Sequence, residues 1–128
     1  HGCLVGSEMC IRDRYNDFDR KDYKAIHLSG YKEEELVAYA RIFDKGDYYE
    51  DHPGFGRVLV IEKERGKGVG KDLVKMCIGV CEKNFDKQEI KISAQAYLEK
   101  FYIDLGFERR GEGYIEDGIP HCAMFITP

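Results

Sequence analysis

Between residues 64 and 75 the chain reads ERGKGVGKDLVK: glycines at alternate positions, basic residues around them, and an apolar helical pattern directly after. These are residues that could hold an anion. Glycine reaches positive φ, so successive N–H groups can converge, and without a Cβ a phosphate can approach the backbone. A helix starting there adds unpaired N–H groups and the positive end of its dipole. Arg65, Lys67 and Lys71 add charge. Spacing excludes two common phosphate motifs. A Rossmann fingerprint built on Gly66 and Gly68 needs glycine at 71, where Lys71 stands. A Walker A loop needs four residues between its glycines and Ser/Thr after its lysine. Here only three separate Gly66 from Gly70, and Asp72 follows Lys71. The loop reads as a phosphate cradle, but for neither NAD nor ATP.

Other reactive side chains are scattered. Cysteines stand at 3, 10, 77, 81 and 122, and histidines at 1, 27, 52 and 121. They form no C-x-x-C pair and no local ligand set, so no metal is expected. Cys77 and Cys81 share a helix face and read as small buried apolar residues. Reduced thiols imply a cytoplasmic setting. His121 shares a strand face with Ala123 and Phe125. It reads either as a partly buried, hydrogen-bonded histidine or as a base, since imidazole can titrate near neutrality. Glu62 is a weaker base candidate. Glu116 and Asp117, like Asp17 and Asp19, are either solvated loop acids or charges that draw a cationic acceptor.

The chain of 128 residues is long enough for one domain with one core. Its composition is 43% hydrophobic and 34% charged, that of an ordinary globular protein. A net charge of -4 and a pI near 5.6 argue against a nucleic-acid partner. No apolar run reaches the length of a membrane span, so no membrane partner is expected.

Periodicity supplies the elements that must position these residues. Strands are expected at 25–30, 35–44, 57–62 and 89–94, with 57–62 (RVLVIE) read as a buried central strand. The stretch 45–56 reads as a loop, and so does the polar 15–24. A helix over 69–84 carries the stripe Leu73, Met76, Cys77, Val80 and Cys81. A second helix over 95–106 carries Leu98, Phe101, Tyr102 and Leu105, with Gly106 just past its end. Two strands around an acidic, glycine-containing turn close the chain. The result is one α/β domain.

The stretch VLVIEKERGKGVGKDLV resembles motif A of the GNAT (Gcn5-related) N-acetyltransferases, whose signature is Gln/Arg-x-x-Gly-x-Gly/Ala after a strand. AQAYLEKFYIDLGF is similar to the family segment in which a helix ends with a tyrosine before Gly-Phe. ELVAYARI, GRVLV, SAQAYLEKFY and EDGIPH together look like the ElaA-like branch of that family. The resemblance runs from about residue 15 to 124. It implies an acyl-CoA N-acyltransferase fold, a central mixed, mostly antiparallel sheet with flanking helices. It also implies acetyl transfer from acetyl-CoA to a primary amine of a small molecule or protein, by direct attack in a ternary complex.

By the same resemblance, Val58, Leu59 and Val60 would face pantetheine in a gap between splayed strands. Arg65, Gly66, Lys67, Gly68, Val69, Gly70 and Lys71 would hold the pyrophosphate. Tyr102 would act as general acid to the leaving thiolate, with His121 as the second catalytic candidate. Gln95 stands where many members have Asn, at the start of the second helix. Backbone N–H donors from the splayed strand would stabilise the oxyanion. The family's opening strand and helices have no counterpart here. Residues 1–14 read as a non-native or disordered leader, and 15–128 as an N-terminally truncated domain. Uncovered apolar sheet would then favour a homodimer. The rival reading is a non-catalytic acyl-CoA-binding module.

Overall fold

The computed structural model describes residues 2–4, 9–15 and 25–128, the first two stretches through their backbone alone. In chain order the elements are β1 (Gly2–Leu4), β2 (Met9–Tyr15), β3 (Ile26–Lys32), β4 (Glu35–Phe43), β5 (Gly54–Val60), α1 (Val69–Asn84), β6 (Ile90–Gln95), α2 (Glu99–Asp104), β7 (Glu108–Glu116) and β8 (Ile119–Ile126). The strands form one sheet in the order β1-β2-β3-β4-β5-β6-β8-β7. Every neighbouring pair is antiparallel except β5 and β6. Those two are parallel because α1 carries the chain back between them. The mixed, mostly antiparallel sheet with flanking helices is therefore as expected.

Several elements differ from the sequence reading. Alternation gave no strand before residue 25, yet the described parts of 1–15 are β1 and β2, which continue the antiparallel meander from β3. The rest of the expected leader, and Asp17 and Asp19 in the expected loop, lie outside the described residues.

The strand expected at 57–62 begins earlier, at Gly54, and is not uniformly buried: Leu59 is 62% exposed. Two facts explain this. β5 pairs with β6 only at Gly54↔Lys91, so its later half has lost that neighbour. Arg57 also sits at φ 50, and the pairing with β4 steps from Tyr39↔Leu59 to Arg41↔Gly56, which leaves one extra residue on β5. That bulge changes the alternation. Phe55 faces the core before it, and Val58 and Val60 pack on the core after it.

Helix α1 has the expected bounds, entered through Gly68 at φ 82. Val74 is fully buried on its stripe and Met76 only partly, since the stripe turns slightly toward β4 and β5. The second expected helix is shorter. Gln95 is the last residue of β6, extended and paired with His121, so no helix can begin there. A 3₁₀ turn over Ala96–Leu98 leads into the six residues of α2. Its end is as expected: Gly106 adopts φ 105, and Phe107 N–H donates to Tyr102 O at 3.0 Å.

The core lies between one sheet face and the two helices. Ile42, Phe55, Ile92 and Met124 meet Leu73, Val74 and Cys77 of α1 and Tyr102 of α2. Cys77, Cys81 and Cys122 are free, buried thiols, and burial pushes Cys81 up to about 12. No helix among the described residues is long and apolar enough to cross a membrane.

At the one point where β5 touches β6 there is no room for a side chain. A Cβ on Gly54 would lie 2.2 Å from Lys91 O and 2.8 Å from the Tyr49 ring. Gly54→Ala should therefore destabilise the fold by at least about 1–3 kcal/mol, the usual cost of overpacking. The urea midpoint checks this; Gly56→Ala, with open space around it, is the control.

Candidate functional site

The parting of β5 from β6 opens a gap in the middle of the sheet. Lys91 N–H donates to Pro53 O at 2.9 Å, and beyond Gly54↔Lys91 the two strands have no further register. Val58, Leu59 and Val60 stand on one side of the gap. Leu59 and Val60 pair on their other edge with Tyr39 and Ala38. Ser93 and Gln95 stand across it on β6, whose far edge pairs with β8. The β5 peptide groups that face the gap thus have no strand beside them.

The glycine loop caps the end of this gap. Backbone bonds close the turn on both sides, Arg65 N–H to Glu62 O at 3.1 Å and Asp72 N–H to Gly68 O at 3.1 Å. Between them stand the N–H groups of 66–71, the last three being first-turn donors that have no acceptor within a helix. Gly66 and Gly68 are left-handed, φ 79 and 82, which a side chain would strain. A Cβ on Gly70 would lie 3.8 Å from Val60 and 4.0 Å from Phe101, so α1, β5 and α2 converge at that residue.

The charges around the loop are unequal. Arg65 Nε donates back to Val60 O at 3.1 Å. Lys67 lies 3.8 Å from Glu64, whose carboxylate also takes Lys32 at 2.7 Å. The Lys32 ammonium holds Glu64 below the ordinary carboxylate range. Glu64 is thus the buried acid of this turn, whereas Glu62, the sequence candidate, is exposed.

Tyr102 is buried among aromatic rings, with Phe101 at 5.1 Å and Phe107 at 5.4 Å, both edge-on. Burial first, then the neighbouring Cys77 and Tyr97, pushes its hydroxyl up to about 12. It therefore stays protonated and can donate a hydrogen bond.

His121 lies on the other face of the sheet. β8 alternates, and Cys122 and Met124 are in the helix-side core. His121 therefore points away from α1 and α2. Its Nδ1 is 2.7 Å from Ile119 O, and its Nε2 is 3.5 Å from Glu116 Oε2. The Tyr114 ring stacks on it at 6.3 Å. Ser93 Oγ, on the same face of β6, is 2.5 Å from Tyr114 Oη and 3.4 Å from Glu116 Oε2. Asp117 belongs to the two-residue turn below, φ 52, with Gly118 at φ 75.

The structure thus brings Val58, Val60, the glycine loop and the Phe101–Tyr102 pair to the helix side, leaves Leu59 facing away from it, and brings Gln95 to the gap. It does not bring Tyr102 and His121 together on one face; the gap lies between their two sides. Sequence reasoning missed Ser93, Tyr114 and Tyr49. The signal for the first two was present. An Asp-Gly turn fixes the hairpin register and sets Tyr114 opposite His121, and Ser93 alternates with Ile92 and Ala94.

Comparison with known proteins agrees with this fold. The sequence profile described as an acetyltransferase (GNAT) domain matches residues 12–128. The chain is 39% identical over 113 residues to a UPF0039 protein of Synechocystis sp., covering 88% of this chain and 73% of that protein. It is 40% identical over 112 residues to protein ElaA of Escherichia coli, covering 86% and 72%. The crystal structure of E. coli ElaA superposes with a TM-score of 0.75 over 87% of this chain and 75% of that one. An acyl-CoA N-acyltransferase from Pseudomonas aeruginosa, 32% identical, gives 0.76 over the same shares.

The raised Tyr102 has a stability consequence. An unfolded tyrosine loses its proton near 10, whereas the folded one keeps it to about 12. Between those values the fold holds a proton that the unfolded chain has released, so stability falls as pH rises. The contribution is complete below pH 10 and gone above about 12, on the order of 2–3 kcal/mol. Tyr102→Phe should flatten that part of the alkaline fall, as read from urea midpoints at pH 9 to 11.

Proposed function

The chain belongs to the GNAT acetyltransferase family, and from that premise we propose that it transfers an acetyl group from acetyl-CoA to a primary amine. The observation that carries this reading is the gap between β5 and β6 that ends at the left-handed glycine turn. It offers extended backbone groups along one wall and a cluster of N–H donors at one end, which matches an acylated pantetheine with a pyrophosphate behind it. The acyl-CoA supplies a thioester carbonyl and a thiolate leaving group.

The residues divide the work. The N–H groups of 66–71 take the pyrophosphate, with Lys71 and Lys67 as the nearby cations. Val58, Leu59 and Val60 line the pantetheine and turn their free peptide groups toward it. Gln95, at the mouth of β6, can bond the arm from the opposite wall. Tyr102 meets the sulfur from the helix side with its hydroxyl hydrogen. His121 takes the proton from the amine on the other face, so the amine enters from the side opposite the helices. No covalent enzyme intermediate is needed, because the gap lets nucleophile and thioester meet directly. Support for a working enzyme over a binding module comes from these two polar side chains, Tyr102 on the helix side of the sheet and His121 on its other face.

Two measurements test the reading. In a thermal-shift titration, acetyl-CoA at 100 times its Kd should stabilise the protein by about 2.7 kcal/mol, while ATP and NAD leave Tm unchanged. A Tm that moves equally with all of them would reject the acyl-CoA assignment. In steady-state assays, Tyr102→Phe should lower kcat on the order of 10²-fold, with the KM for acetyl-CoA little changed.

A further inference from the structure

Two hydrogen-bond acceptors face each other on the outer face of the sheet. His121 Nδ1 lies 2.7 Å from the carbonyl oxygen of Ile119. A carbonyl only accepts, so Nδ1 carries a hydrogen and donates it. In the neutral ring Nε2 is then a bare lone pair. It lies 3.5 Å from Glu116 Oε2, and an ionised carboxylate also only accepts. With the ring neutral, no hydrogen lies between these two atoms. A nitrogen with two N–H bonds to give could bond both atoms at once.

We infer that Glu116 and His121 form the seat for the ammonium group of the amine acceptor. The acceptor is then a primary alkylammonium with no carboxylate next to its nitrogen. This rests on the acyl-transfer reading above and names the substrate class of that same site.

The surroundings fit a cation. Ser93 Oγ lies 2.5 Å from Tyr114 Oη, where either hydroxyl can donate, and 3.4 Å from Glu116 Oε2; when Ser93 donates to the carboxylate it accepts from Tyr114. Ser93 and Tyr114 are thus positioning residues that aim the carboxylate. Tyr48 and Tyr49 meet edge-on at 4.9 Å, and burial first, then Tyr48, Tyr114 and Glu116, raise the pKa of the Tyr49 hydroxyl. The partly exposed Glu116 carboxylate favours an ammonium ion. The neighbouring cations are engaged with their own partners. Lys91 lies over the Tyr49 ring at 5.0 Å, and Arg110 is held by both oxygens of Glu89. The Glu116 side chain is 41% exposed and that of His121 only 9%, so the seat is entered over the carboxylate. An α-amino acid would bring its own carboxylate against Glu116 and is disfavoured. On reaction one N–H proton passes to Nε2, the freed lone pair bonds the thioester carbon as the C–S bond breaks, the thiolate leaves with that bond's electrons and takes the nitrogen's second proton, and the imidazolium is held by Ile119 O and Glu116.

Isothermal titration of the full chain saturated with coenzyme A tests this. The probes are 1,5-diaminopentane, Nα-acetyl-lysine amide as a protein side chain, and glycine. At least one of the first two should bind, and which of them does separates a small amine from a lysine side chain. Glycine should bind at least tenfold more weakly. Glu116→Gln should weaken the bound amine tenfold or more, and Glu116→Asp, which keeps the charge but shortens the reach, should weaken it less. Ser93→Ala should weaken it several-fold, with Ser93→Thr restoring it, a rescue that a merely structural role would not give. Equal binding of glycine, or an unchanged affinity in Glu116→Gln, would overturn the seat. So would a wild type that coenzyme A stabilises but that binds neither amine. A wild type that coenzyme A does not stabilise would overturn the acyl-transfer reading and the seat with it.

Discussion

One backbone contact governs this architecture: β5 and β6 run parallel, touch at Gly54 and Lys91, and then separate. Parallel neighbours need a crossover, and α1 supplies it. Because α1 starts where β5 ends, the same crossover puts a helix N-terminus and its unpaired donors at the end of the gap. Unpaired strand groups are costly unless water or a ligand satisfies them. A gap in the centre of a sheet is therefore unfavourable as pure structure and useful as a site. The close approach that pins it leaves Gly54 no space for a side chain, and this fixes where the strands begin to part.

The sheet also separates two chemical environments. On the helix side Tyr102 lies among aromatic rings and thiols, where burial keeps its hydroxyl protonated. On the other side His121, Glu116, Ser93 and Tyr114 form a polar group open to solvent along one edge. Alternation along β6 and β8 creates both at once, since Ile92 and Met124 face inward while their neighbours in sequence face outward. The sheet thereby keeps the Tyr102 hydroxyl and the His121 imidazole on opposite faces.

Much of this was legible in the sequence. The stripe from Leu73 to Cys81 and the glycines before it gave α1 with its bounds, because helical periodicity and left-handed glycine are local properties. Gly106 after α2 was readable for the same reason. The gap was not. A strand rich in Val and Leu reads as buried, and only its lost neighbour exposes Leu59. The break between Gln95 and α2 was hidden too, since Gln95 is held extended by pairing with His121, a contact far away in sequence. The polar group around Glu116 was half visible. His121 and Glu116 drew notice as residue types, whereas Ser93 and Tyr114 matter only through a register that joins three strands.

The bulge at Arg57 has a consequence for how this strand tolerates change in length. An ordinary strand has a parity, and every residue keeps its side by counting in twos. Arg57 is the place where β5 skips a count, so Phe55 and Val58 share the core despite odd spacing. Losing one residue together with the bulge would leave every downstream side chain on its own side, whereas regular pairing through Arg57 with no residue lost would exchange the two sides of everything downstream. Leu59 would turn inward and Val60 outward, while the glycine loop would arrive with its donors on the wrong side. The strand therefore carries a frame, and one left-handed arginine sets it.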